Sequence, residues 1–120
     1  MPTHQSLSGS SDEDLLRRMV ETHPERYGPD FWAFFTARVA ASLPPRPVMI
    51  DLGCGPGLLL RDLAERHPGS TLHGYDVTGA MIAHARGLSY GTAKVTLTVL
   101  DVATQPLPHD GGSVHLVTMS

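Results

Sequence analysis

Three aspartates, Asp51, Asp76 and Asp101, each close a short apolar run, and the first leads into the glycine-rich turn Gly53-Cys54-Gly55-Pro56-Gly57. A turn of this kind between a buried strand and a helix lets a ligand approach the backbone, because no Cβ stands in the way. In an open parallel sheet the ligand lies across the carboxyl ends of the strands, so the three carboxylates are expected to line one crevice. A dinucleotide suits that crevice poorly. Its pyrophosphate favours G-x-G-x-x-G spacing and bare N–H groups. Here the glycines stand at 53, 55 and 57, Pro56 removes a donor, and Asp51 would repel phosphate. A ligand cationic at one end and carrying a ribose diol at the other fits better, since one carboxylate accepts both hydroxyls through its two oxygens.

The elements that must position these groups follow from the pattern along the chain. Val48-Met49-Ile50 reads as a strand buried on both faces, Thr71 to Tyr75 as a second strand, the β-branched run Val95 to Leu100 as a third, and Val114 to Met119 as a fourth. Between them, Leu58, Leu59, Leu60, Leu63 and Ala64 give a helix stopped by Pro68-Gly69. Thr78 caps another that carries Met81, Ile82 and Ala85 inward and ends at Gly87. Before the stiff Pro44-Pro45-Arg46-Pro47 hinge, one helix starts at Ser11 and is broken by His23-Pro24. A second starts at Pro29, with Phe31, Phe34, Phe35 and Val39 on one face. Met1 to Ser10 reads as a loose leader. The fold class expected is α/β, a doubly wound, mostly parallel sheet. Residues 1–46 are read as leader and cap helices, and 47–120 as a cofactor-binding portion.

Composition narrows the partners. The 120 residues are 41% hydrophobic and 18% charged, which excludes a disordered charged tail. No apolar run approaches the roughly 18 residues a membrane span needs. Nine Lys and Arg against twelve Asp and Glu give a net charge of −3 with no basic block, so nucleic acid is not an expected partner. The single cysteine, Cys54, excludes an internal disulfide and a cysteine-rich zinc site; it reads as a small filler of the turn, with no base beside it. The polar N-terminus lacks an apolar signal region, which points to the cytoplasm. The seven histidines form no H-x-x-x-H or H-E-x-x-H pair and are read as surface or strand residues. His109 is placed at the edge opposite the crevice, and His115 as packed within the fourth strand.

Asp51 to Gly57 (DLGCGPG) resembles motif I of the class I, Rossmann-like S-adenosylmethionine-dependent methyltransferases. His73 to Arg86 (HGYDVTGAMIAHAR) resembles the strand and helix that follow it, and Leu100 to Ser120 the third strand's acidic end and the fourth-strand motif. The resemblance covers Val48 to Ser120. It implies S-adenosylmethionine as cofactor, with Gly53, Cys54, Gly55 and Gly57 under its methionine portion and Asp51 facing its ammonium. Asp76 would take the ribose hydroxyls, with Val77 and Met81 on the adenine; Asp101 would take the adenine amino group, with Val102 against the ring. Met119 and Ser120 would lie near the transferable methyl. It further implies methyl transfer to a small-molecule acceptor. Family members continue past the fourth strand, so the chain is expected to associate, as a homo-oligomer or with a complementary chain pairing on that strand. Two other readings stay open: a non-catalytic cofactor-binding half that assembles with a partner, and a nucleotide-dependent oxidoreductase.

Overall fold

A computed structural model describes residues 9–120 of the chain. Four strands, β1 (Val48–Leu52), β2 (Thr71–Asp76), β3 (Lys94–Val99) and β4 (Leu116–Met119), form one parallel sheet in the order β3-β2-β1-β4. Helices α1 (Gly9–Arg26) and α2 (Pro29–Arg38) precede the sheet, α3 (Leu58–Arg66) joins β1 to β2, and α4 (Gly79–Arg86) joins β2 to β3. Strand order reverses between β1 and β4, the arrangement that leaves a crevice at the carboxyl ends. No helix among the described residues is long and apolar enough to cross a membrane.

The register puts Met49 beside Leu72 and Leu72 beside Val95, so these side chains share one face of the sheet. That face carries the core: Met49, Leu72 and Leu97 pack with Leu59, Leu60 and Leu63 of α3, Ile82 and Ala85 of α4, and Trp32 and Phe35 of α2. Each fully buried apolar side chain contributes about 1.5–3 kcal/mol. Helix α2 thus shares one core with the sheet, α3 and α4. On the opposite face Ile50 and Tyr75 are buried, while Val117 and Met119 are exposed. There the β3–β4 crossover is a loop rather than a helix, so the second winding exists in topology without a helical layer.

Several local expectations are corrected. The leader reading falls on residues 1–8, which lie outside the described residues, and on Gly9 and Ser10, which are helical; α1 therefore starts before Ser11. It also runs through Pro24 to Arg26. The missing proline N–H costs one bond in the final turn, which Tyr27 N–H closes on the His23 carbonyl at 2.9 Å. In α2 the buried stripe is Phe31, Trp32 and Phe35, and Phe34 is 60% exposed, because Trp32 takes the inward place assigned to Phe34. Strand β4 begins at Leu116, two residues later than expected. His115, exposed just before it, ties it to β1: its N–H meets the Val48 carbonyl at 2.8 Å and its Nδ1 accepts the Val48 N–H at 2.9 Å.

Gly57, at the N-cap of α3, has φ +89°, and a methyl there would stand 2.6 Å from the Tyr90 hydroxyl and 2.8 Å from Ala85 Cβ. Gly91 has φ +61° with nothing within 4 Å. Both substitutions to alanine incur left-handed strain of about 1–2 kcal/mol. Gly57→Ala should cost a further ~1–3 kcal/mol from overpacking against α4. Urea unfolding of the two variants checks this; equal losses would show that the close approach of α3 and α4 is not limiting.

Candidate cofactor site at the carboxyl edge

The three aspartates are staggered rather than level. Asp51 pairs with Gly74 of β2, two residues short of Asp76, and Asp76 pairs with Val99 of β3, two residues short of Asp101. Each step is roughly 6–7 Å along the strand. Asp51 consequently lies deepest at 0% exposure, Asp76 is 6% exposed, and Asp101 is half-buried at the rim. The expectation that all three line one crevice is corrected to two.

Asp76 fixes the site. Its Oδ2 accepts the Gly55 N–H at 2.9 Å and its Oδ1 accepts the Thr78 N–H at 2.9 Å, so one carboxylate joins the glycine turn to the start of α4. Thr78 is the N-cap residue by position, yet no side chain caps α4, and Thr78 Oγ1 is buried without a partner.

Asp51 faces inward. Ser120 Oγ lies 2.7 and 2.6 Å from its two oxygens, and Thr118 Oγ1 donates to Oδ1 at 2.9 Å. Burial pushes this carboxyl above its ordinary range; the hydroxyl donors of Ser120 and Thr118 oppose that, and the Asp76 charge adds to it. The phenol of Tyr27, after α1, is raised by burial and by the Asp51 charge, with Arg26 opposing. Burial likewise raises the Cys54 thiol, which keeps it protonated and in its filler role.

The open part of the site is a cleft of about 170 Å³ lined by Gly53, Tyr75, Asp76, Val77, Leu100, Asp101, Val102 and Ala103. It brings together Gly53, Asp76, Val77, Asp101 and Val102 of the expected residues. It leaves out Met81, which is buried in the helical layer at 1% exposure, and Met119, which is 81% exposed on the far face. Cys54, Gly55 and Gly57 are buried within the turn. Tyr75, Leu100 and Ala103 were not foreseen as lining; the alternation along β2 could have marked Tyr75. His109, expected on the opposite edge, has its Nε2 2.7 Å from the Tyr75 hydroxyl, because the crossover loop folds back over that face. No group of three or more potential metal ligands occurs among the described residues.

Two measurements follow from this geometry. Asp76→Ala removes an acceptor from two buried N–H groups, each loss worth about 1–3 kcal/mol, whereas Asp101→Ala loses one exposed bond, to the Ala103 N–H. Denaturant unfolding should therefore rank Asp76→Ala well below Asp101→Ala in stability; the reverse order would remove the clamp. For Asp51, a folded-state pKa above the unfolded value means the native state binds the proton more tightly, so this group's contribution falls as pH rises through that window. Asp51→Asn should gain stability relative to wild type as pH rises above the ordinary aspartate value of about 4. A difference that does not change with pH would show the burial to be fully compensated.

Comparison with known proteins agrees with this geometry. Residues 49–120 match the family model described as a methyltransferase domain. A trans-aconitate 2-methyltransferase from Methylobacterium nodulans is 36% identical over 72 residues, 60% of this chain and 27% of that protein. An S-adenosylmethionine-dependent methyltransferase from Mesorhizobium loti superposes with a TM-score of 0.50 at 30% identity, covering 72% of this chain and 38% of that one. The magnesium protoporphyrin IX methyltransferase of Synechocystis PCC 6803, solved with S-adenosylmethionine bound, gives 0.52 at 28% identity, covering 72% and 39%. The chain spans about a quarter or less of the length of the curated relatives it matches. With the family model covering more than half of its residues, the chain belongs to the methyltransferase domain family, the S-adenosylmethionine-dependent enzymes of Rossmann-like fold whose motifs its sequence resembles.

Proposed function

We propose that residues 47–120 seat S-adenosylmethionine across the carboxyl ends of β1, β2 and β3, that residues 1–46 cover it, and that the methyl goes to a small-molecule acceptor in the cytoplasm. The observation that carries this reading is Asp76: the carboxylate that fixes the glycine turn also lines the cleft, with Asp101 at its rim and Val77 and Val102 as apolar walls. That pairing of acceptors with apolar walls suits a ribose diol beside an adenine ring. Thr78 Oγ1, next in sequence to Val77, is a buried hydroxyl still lacking a partner among the described residues. When bound, the cofactor supplies an electrophilic methyl on a sulfonium, which an acceptor's electron pair takes as the carbon–sulfur bond breaks. The protein's part is positioning and exclusion of water, and no side chain becomes covalent. The name shared by the curated relatives makes a small polycarboxylate the first acceptor to try.

A second reading is a non-catalytic cofactor-binding half that assembles with a partner chain. Calorimetry with S-adenosylmethionine and with NAD should show binding of the first alone; preference for NAD would overturn the cofactor reading. Incubation of the chain with labelled cofactor and trans-aconitate then separates the two proposals. Methyl transfer supports an enzyme, and binding without transfer to any small acid supports the assembling half.

A further inference from the structure

The cofactor site divides into an open half and a filled half. Around Asp76, Val77 and Asp101 the cleft measures about 170 Å³. Over the glycine turn the space between Met19, His23, Arg26, Tyr27, Cys54 and Ser120 is about 10 Å³, hardly one water. The side chain resting on the turn is Met19 of α1. A methyl on Gly55 would stand 2.6 Å from Met19 Cε and 3.6 Å from its Sδ, so the thioether lies against bare backbone whose φ is +55°. Helix α1 is held there by His23 Nε2, 2.7 Å from Asp62 Oδ2 of α3.

Resting on the reading that this turn takes the methionine portion of the cofactor, we propose that Met19 determines which ligands the site accepts. Its unbranched, polarisable side chain occupies the amino-acid half. The closed form therefore takes nucleosides with small 5′ groups directly, and takes S-adenosylmethionine only when α1 carries Met19 away. The apparent affinity for the full cofactor is lowered by the fraction of molecules in which α1 has moved, while that for adenosine is not. Met19 acts by occupying space and takes no part in the chemistry.

Calorimetry on the whole chain and on Met19→Ala, with adenosine and with S-adenosylmethionine as probes, tests this. The variant should bind S-adenosylmethionine about tenfold more tightly and adenosine within about twofold of wild type. Unchanged or weaker cofactor binding with adenosine binding retained would overturn the role of Met19 and leave the cofactor reading standing. Binding of neither probe would remove both. Should Met19→Ala fail to fold, stopped-flow fluorescence of the single tryptophan, Trp32, in wild type decides. The observed rate should level off with S-adenosylmethionine concentration and rise linearly with adenosine; linear dependence for both would overturn the proposal.

Discussion

The loops of the site hang on the last two residues of β2. The Tyr75 carbonyl accepts the Cys54 N–H at 2.9 Å, Asp76 Oδ2 accepts the Gly55 N–H, Asp76 Oδ1 accepts the Thr78 N–H, and the Asp76 carbonyl accepts the Leu100 N–H at 2.9 Å. Four bonds from two adjacent residues thus set the glycine turn after β1, the start of α4 and the chain leaving β3. A buried carboxylate is costly unless donors compensate it, and at Asp76 the donors are the backbone groups whose placement the site needs. Stability and ligand geometry are therefore coupled at this residue, and a change that loosens the clamp displaces three walls of the cleft together.

The stagger explains why similar aspartates have different fates. Asp51 sits one pleat deeper than Asp76, where its neighbours are β4 hydroxyls rather than solvent, and burial raises its carboxyl. It is solvated from within by Thr118 and Ser120. These hydroxyls link the end of β4 to the floor of the turn without exposing the charge.

The glycine turn and the alternation of strand and helix in an α/β sheet were legible in the sequence, because they follow from local period and from residues free of a Cβ; Asp76 was legible as an acid closing an apolar run, but not as the clamp of the turn. The depth of Asp51 was not, since it depends on the offset between strands, which no single segment encodes. Nor was the place of Met81: its apolar stripe shows that it turns inward, but not whether core or ligand awaits it. Met19 shows the same limit. Leu15, Leu16, Met19 and Val20 mark an apolar stripe on α1, and only tertiary packing places Met19 on Gly55. His109 was misplaced for a related reason, since a loop's path back over a sheet face leaves no periodic trace.

The two faces of the sheet give the site a rigid side and an adaptable side. Helices α2, α3 and α4 close one face around Met49, Leu72 and Leu97, so β1, β2 and β3 deliver Asp76 and Asp101 from a packed layer. The other face is covered by the crossover loop, pinned where His109 meets Tyr75 and lies tilted against His73 with ring centroids 4.5 Å apart, and it leaves Val117 and Met119 of β4 exposed. The walls of the cleft at Asp76 and Asp101 are thereby preorganised, the condition under which binding energy is not spent on ordering loops. Among the described residues, strand β4 meets that clamp only through β1, so its exposed face can change without displacing the cleft.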